Sequence, residues 1–451
     1  MKPKTLFRAR QAALWAIFCL AIPGVRAKPN IVFIIADDLG WADLAFHGGN
    51  APTPHLDKLA RESIEFTQHY AAATCTPTRV GFLTGRFWSR FGILAPYNNR
   101  ALPWDTVTLP SALKRVGYAT ALFGKWHLGA KPEWGPNHYG FDYTYGSLGG
   151  GVGPYNHFYK QGDTVETWHH NGDLITEEGH VTDLIANEAV KWIASRREAP
   201  FFLYVPFTAV HLPVKEPPSW LDKVPAAIEG GVARHYAASV MHLDDAIGRI
   251  IAALEKSGKR ENTLLVFTSD NGGSTAENND VKYPVGDYPS GRLPGNNLPL
   301  RGEKTDLYEG GIRVPTIMSW PGKLKPGAFT QPMHIADWMP TFCALTGYKP
   351  EKDLMWDGVN MWPAISGPGA QPVARTLYWT TPSHSAVRDG DWKLIVPSGR
   401  NAKAGKVELF DLAKDPNETT DLAASMPEKV GALKQKLAAV AKADRDAVVK
   451  D

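Results

Sequence analysis

The chain has 451 residues, 43% hydrophobic and 21% charged, with 49 Lys and Arg against 46 Asp and Glu, a formal net charge of +3 at pH 7. So small a surplus argues against nucleic acid as the partner, and the length is ample for a large core in two domains. Three cysteines are too few for a fold built on disulfides.

Residues 1–27 read as a signal peptide: Lys2, Lys4, Arg8 and Arg10 precede an apolar stretch over 12–22, and Val25-Arg26-Ala27 offers a small-residue cleavage site. The apolar stretch is short and no second one follows, so the expectation is an exported protein, periplasmic or secreted, with no stable membrane anchor. Cys19 lacks the small residues of a lipoprotein cleavage site. Loss of the signal would leave 44 basic against 46 acidic residues, with Cys75 and Cys343 the remaining cysteines. Cys343, in an apolar run, reads as a buried small hydrophobe.

Residues 31–36 form a continuous β-branched and apolar run, the pattern of a strand buried on both faces of a parallel sheet, and it ends in Asp37-Asp38. A helical pattern over 55–65 follows. Then comes Cys75-Thr76-Pro77-Thr78-Arg79 with Thr84-Gly85-Arg86. Pro77 pre-sets a first helical turn, so residue 75 is expected just before a helix N-terminus, where amide dipoles favour an anion, and Arg79 is placed to brace a neighbouring group. An ordinary free thiol before a helix fits those five residues equally well.

A helix over 109–115 and a strand over 119–123 lead into Gly124-Lys125-Trp126-His127-Leu128-Gly129. Residues two apart in an extended segment face the same way, so Lys125 could hold an anion and His127 relay a proton. A helix over 182–195 and a strand over 201–205 precede His211. A helix over 236–256 carries Tyr236, Val240, Leu243, Ile247, Ile250 and Leu254 as a core-facing stripe. The strand over 263–268 ends in Ser269-Asp270-Asn271-Gly272-Gly273, and Lys304 precedes a further strand over 314–320. This alternation implies an α/β domain over 28–346 with a mostly parallel sheet. Residues 347–451 change pattern: short strands over 377–380, 385–388, 392–395 and 408–411, then a helix over 427–441, read as a small antiparallel sheet packed with one helix.

Ligands of open α/β sheets gather beyond the carboxyl ends of the strands, so the two acid-tipped strands define one rim. Asp37, Asp38, Asp270 and Asn271 form an all-oxygen set that suits a hard divalent cation, Ca²⁺ before Mg²⁺. Singly, each would pass for a cap or turn residue.

From about Asn30 to Asp421 the chain resembles the type I, formylglycine-dependent sulfatases. The shared features are the C-x-P-x-R and T-G-R run, Thr53-Pro54-His55-Leu56-Asp57, the Gly124–Gly129 hexapeptide, Ser269–Gly273, Glu309-Gly310-Gly311-Ile312-Arg313-Val314-Pro315 and Glu408-Leu409-Phe410-Asp411-Leu412. The resemblance implies an alkaline-phosphatase-like sandwich and hydrolysis of sulfate esters. It implies that a formylglycine-generating enzyme or radical maturase oxidises Cys75 to formylglycine, whose hydrate is the nucleophile. It implies one Ca²⁺ held by Asp37, Asp38, Asp270, Asn271 and residue 75. Arg79, Lys125 and His127 would hold and activate the hydrate, while His211 and Lys304 would contact the sulfate.

A phosphate or phosphonate ester hydrolase of the same superfamily is the nearest alternative, and a catalytically silent sulfated-glycan-binding protein a more distant one. A single complete ligand set argues against the first and an unbroken motif against the second. Asn296–Gly302 and Gly140-Phe141-Asp142 look most like the N-acetylgalactosamine-4-sulfatase branch and nearby bacterial polysaccharide sulfatases, which points to a sulfated carbohydrate of galactose or N-acetylgalactosamine type. Tyr155-Asn156-His157-Phe158-Tyr159 could stack on sugar rings or simply pack its own loop.

Overall fold

The computed structural model describes residues 28–160, 165–196, 200–278, 283, 287–367, 373–399, 402 and 405–450; the signal segment 1–27 lies outside them. At the centre, Thr263–Ser269, Asn30–Ala36, Phe201–Pro206, Ala119–Phe123 and Tyr143–Ser147 lie side by side as parallel neighbours. Antiparallel pairing adds Thr316–Ser319 beyond Thr263–Ser269 and Trp168–His170 beyond Tyr143–Ser147, and the sheet reaches ten strands.

Alternation along Asn30–Ala36 divides the core into two layers. Ile31, Phe33 and Ile35 join one cluster with Phe82, Tyr204 and Trp338, while Val32, Ile34 and Ala36 join the other with Leu243, Ile247 and Phe267. Both faces are covered, which is why this strand has no polar face. Helix Gly231–Lys256 begins five residues before the expected start, and all six residues of its stripe are buried.

The expected helix over 55–65 is corrected: the helix is Pro54–Arg61, and Ile64–Phe66 is a strand paired with Thr316–Ser319. Ile64 and Phe66 are buried around an intermediate Glu65, so sheet pairing and period-two burial override the helical pattern there. The Tyr143–Ser147 strand escapes a sequence reading because Gly146 interrupts it. That glycine has φ 126°, and a Cβ there would come within 2.3 Å of the Gly124 carbonyl oxygen.

Thr376–Thr380, His384–Asp389, Trp392–Pro397 and Glu408–Asp411 form the antiparallel sheet, with helix Pro427–Ala441 on one face through Val387, Leu394, Leu409 and Leu433. Its other face contributes Leu377, Trp379, Ala386, Ile395 and Phe410 to the core layer of Phe33. Two indoles tie the units: Trp379 Nε1 donates to Ala71 O at 2.9 Å and Trp88 Nε1 to Thr380 O at 3.0 Å. Buried Lys393 bridges Glu309 and Glu418 at 2.9 Å each, and Tyr70 donates to Glu309 at 2.7 Å. Glu309 therefore anchors the small sheet next to the segment that leads into Cys75. Among the described residues no helix is long and apolar enough to cross a membrane.

Candidate active site and metal centre

The in-register pairing of Ala36 with Ser269 delivers Asp37 and Asp270 to the same sheet edge, where the Asp270 amide donates to Ala36 O at 3.0 Å. Asp38 takes φ 61°, which turns its chain back; its amide donates to Asp270 Oδ1 at 3.2 Å, and Asn271 Nδ2 donates to Asp38 Oδ1 at 2.8 Å. All four side chains are buried.

Cys75 is the first residue of helix Cys75–Thr84, one position further into the helix than expected, with Pro77 in its first turn. Thr78 Oγ1 locks this N-terminus to the rim: it accepts from the Ala72 amide at 2.8 Å and donates to Asp270 O at 2.6 Å. Arg79 lies one turn on, fully buried, and donates to Asp270 Oδ2 at 3.0 Å and to Lys125 O at 2.7 Å. Burial raises the Cys75 thiol pKa despite Lys125 and Lys304. As a thiol it is a poor nucleophile in this place.

Lys125 Nζ donates to Asp37 Oδ2 at 2.5 Å, and Lys304 Nζ to Asp38 Oδ2 at 2.7 Å. Lys125 is fully buried, whereas the Lys304 side chain keeps 15% exposure. His211 is exposed to a similar small extent, with Nε2 3.7 Å from Asp38 Oδ2. Its Nδ1 lies 2.5 Å from Leu212 O, and since a carbonyl can only accept, the Nδ1 proton is fixed. His127 reaches the site by a different route from the extended one expected: its backbone is left-handed at φ 57°, and neither ring nitrogen has a hydrogen-bond partner among the described residues. Burial, reinforced by neighbouring cations, pushes both imidazoles well below their ordinary pKa, so both are neutral.

Whether these groups fit a metal is decided by their unsatisfied oxygens. Asp37 Oδ1 and Asn271 Oδ1 are buried acceptors with no donor among the described residues. Ligand-type atoms of Asp37, Cys75 and Asp270 lie within 4.8 Å of one another, as do those of Asp37, Asp38 and His211. Burial and the charge of Asp270 push the Asp37 carboxyl upward against Lys125, a penalty that a divalent cation reverses. The oxygen-rich donor set fits a hard cation. Three carboxylates, Asp37, Asp38 and Asp270, face three cations, Arg79, Lys125 and Lys304; a dication would therefore leave the site net positive and suited to an anionic substrate.

In the sequence Thr78 and Ser269 stand only as members of motifs with no role of their own, and Tyr204 and the Gly149–Gly151 run carry no signal that marks them for the site. Tyr204 lies 3.4 Å from Arg79, and Ser269 Oγ bridges the Leu39 amide and Asn271 O. The glycines roof the imidazoles: a Cβ on Gly150 would lie 2.4 Å from the His127 ring, and one on Gly151 3.1 Å from His211 Nδ1. The run of three glycines is visible in the sequence, but the target it covers is not. In the aromatic loop, His157 is buried, stacks on Trp168 and contacts Gly179 O at 3.0 Å, so it packs the loop. Tyr159, bonded to Asn98, lies within the field of Lys125 and Lys304.

A second group, His180, Glu216 and His242, also brings ligand-type atoms within 4.8 Å. It is explained without a metal. His180 Nδ1 accepts from the Thr182 amide, and its Nε2 faces Lys215 O. The two nitrogens of His242 face Glu216 at 2.8 Å and Asp183 at 3.2 Å, which, although burial opposes it, raises its pKa to about 9. This is an imidazolium held between carboxylates.

Comparison with known proteins agrees with this geometry. The sulfatase family profile matches residues 29–348, and that of the C-terminal part of N-sulphoglucosamine sulphohydrolase matches 303–443. N-acetylgalactosamine-6-sulfatase of Rattus norvegicus is 33% identical over 388 residues, covering 80% of this chain and 70% of that protein. N-acetylgalactosamine-6-O-sulfatase of Bacteroides thetaiotaomicron is 31% identical over 490 residues, covering 92% and 93%. Among solved structures, Ps i-CgsB in complex with k-i-k-neocarrahexaose superposes with a TM-score of 0.80 at 30% identity, covering 94% of this chain and 95% of that one. With a profile over most of the chain and relatives matched along most of their length, this protein belongs to the sulfatase family and is a sulfuric ester hydrolase.

Proposed function

We propose that the protein is an exported, formylglycine- and Ca²⁺-dependent carbohydrate sulfatase acting on galactose- or N-acetylgalactosamine-type sulfates. The observation that carries this reading is the convergence of Asp37, Asp38, Asp270 and Asn271 on Cys75, Lys125 and Lys304 at one sheet edge. The Rattus and Bacteroides relatives carry N-acetylgalactosamine in their names, which supports the substrate class; they carry the 6-sulfatase name where the sequence resemblance pointed to the 4-sulfatase branch. Export rests on the pattern of residues 1–27 alone.

Oxidised and hydrated, residue 75 would supply one hydroxyl for attack on sulfur and a second whose deprotonation would expel sulfate; Asp37, Asp38, Asp270, Asn271 and residue 75 would hold Ca²⁺, which would supply positive charge to the substrate's oxygens. The chain's own groups do the rest. Lys125 and Lys304 hold the anion's oxygens, and the helix N-terminus at residue 75 adds its dipole. Arg79 fixes the Asp270 carboxylate and the Lys125 backbone in place. His127, neutral and without a partner among the described residues, takes the proton at residue 75. The Lys304 ammonium, or His211 once the ester's charge favours a proton on Nε2, protonates the departing alcohol.

The roof gives a specific expectation. Gly150→Ala should displace the His127 ring and lower kcat by about 100-fold, the usual worth of a positioned acid or base, with a modest Tm loss. Unchanged kcat, measured beside thermal denaturation, would remove His127 from the mechanism. The function itself is tested with purified enzyme whose residue 75 is shown by peptide mass to be converted. Galacto-type, gluco-type and aryl sulfates are offered and free sulfate is measured by ion chromatography. The expected result is a kcat/KM about tenfold or more higher for galacto-type sugars. Equal or better rates on gluco-type sulfates would overturn the substrate class.

A further inference from the structure

Beside the candidate nucleophile lies a cavity of about 370 Å³ whose walls come from three parts of the chain. Thr74, directly before Cys75, forms one wall; Thr305 and Asp306, directly after Lys304, form a second; Ser383 and His384, where the C-terminal sheet turns into its second strand, form the third. The volume is in the range of about 300–1,000 Å³ typical of small-molecule pockets. Its charge is unlike that of the neighbouring anion site. Where the sulfate side presents Arg79, Lys125 and Lys304, no Lys or Arg among the described residues lines this cavity, and Asp306 and His384 are the ionisable side chains among those residues besides the Tyr308 phenol. Tyr308 is engaged, its hydroxyl donating to Glu408. His384 Nδ1 lies 3.0 Å from Ser383 Oγ; burial raises the Asp306 carboxyl above its ordinary pKa, and Arg301 and the His384 imidazole oppose that rise.

A larger cavity of about 780 Å³ lies across the 294–303 loop; neither Cys75 nor Lys304 lines either cavity. The arginine of the larger one, Arg301, is already committed: it stacks on Tyr308 at 3.8 Å and donates to Glu418 O at 3.1 Å. The smaller cavity meets the chain next to both reacting groups, at Thr74 before Cys75 and Thr305 after Lys304, whereas the larger one, which Asp306 also lines, meets it only at Glu303 before Lys304.

We infer that this cavity seats the sugar bearing the scissile sulfate, that Asp306 and His384 read its hydroxyls, and that a second anionic substituent on that sugar is excluded. This inference rests on the carbohydrate sulfatase reading above. A carboxylate accepts from sugar hydroxyls and an imidazole offers either a donor or an acceptor, so the pair recognises a neutral polyol. A second sulfate, or a uronate carboxylate, would enter a partly desolvated space beside Asp306 with no Lys or Arg among the described lining residues to pair with, since the nearby Arg301 is held against Tyr308 and Glu418 O. Specificity here comes from repulsion as much as from attraction.

The test uses the full-length enzyme with converted residue 75 and three probes: N-acetylgalactosamine 6-sulfate, N-acetylgalactosamine 4,6-disulfate and 4-methylumbelliferyl sulfate. The monosulfate is expected to exceed the disulfate by about 100-fold in kcat/KM. Asp306→Asn should narrow that ratio at least about tenfold by removing the repelling charge. His384→Ala should lower kcat/KM on the monosulfated sugar about tenfold or more beyond whatever it does to the aryl sulfate, which also controls for folding. Equal turnover of mono- and disulfated sugar, or equal losses on sugar and aryl sulfate in both variants, would overturn the inference. Failure of the parent reading looks different: converted enzyme would release sulfate from none of the three probes.

Discussion

Cys75→Ala is expected to abolish sulfate release, by about 10⁴-fold or more, while leaving the fold intact. Residue 75 is the first helical position of Cys75–Thr84, is 2% exposed, and the thiol is a small side chain, so the exchange for Ala leaves the packing nearly unchanged. The hydrogen bonds that seat this helix on the rim come from Thr78 and Arg79, and both survive. Loss of activity with an unchanged thermal midpoint therefore isolates the nucleophile. Cys75→Ser separates the two hydroxyls of the hydrate: a single hydroxyl can accept sulfate and has no second proton to lose. That variant should be nearly inactive, and its residue-75 peptide should carry one added sulfo group after incubation with substrate. Appreciable turnover by either variant, measured as free sulfate, would sink the assignment of residue 75 as nucleophile.

The rim was legible because its signals are local. A seven-residue apolar strand that ends in two aspartates, and another that ends in Asp-Asn-Gly-Gly, announce both burial and what emerges from it; parallel pairing in register then brings the ends together. Lys125, His211 and Lys304 were found by the same logic, since each follows a strand or precedes one. The less legible parts are those that depend on what lies across the sheet. Ile64–Phe66 continues a helical pattern until pairing with Thr316–Ser319 makes it a strand. His127 was placed by an extended-chain argument, yet its ring arrives through a left-handed residue beneath the glycine roof. Glu309 stands in a motif that marks the family, and its carboxylate is occupied by Lys393 and Tyr70, far along the chain, where it joins the two sheets. No spacing rule contains that partner. The Asp306 and His384 pair is of the same kind, two residues almost eighty positions apart that share one cavity.

Asp38→Asn and Asp270→Asn are each expected to weaken Ca²⁺ binding by about 100-fold and to lower activity in parallel. The charge balance explains why so conservative a change matters. Three carboxylates oppose three cations, so each amide leaves one buried cation in excess and repels the incoming dication. The two variants should differ in stability. Asp270 pairs with fully buried Arg79 and also accepts from the Asp38 amide, so its replacement leaves a guanidinium with a neutral partner in the interior and should lower the thermal midpoint clearly. Asp38 pairs with Lys304, whose side chain is 15% exposed and can turn to water, so its replacement should cost less. Calorimetric titration with Ca²⁺ measures the affinity directly, independent of turnover. Zn²⁺ should not substitute well, because the orphaned buried donors, Asp37 Oδ1 and Asn271 Oδ1, are hard oxygens. Ca²⁺ affinities equal to the parent protein in both variants would show that these strand ends do not hold the metal, and the acid cluster would then have to be explained by its lysine and arginine partners alone.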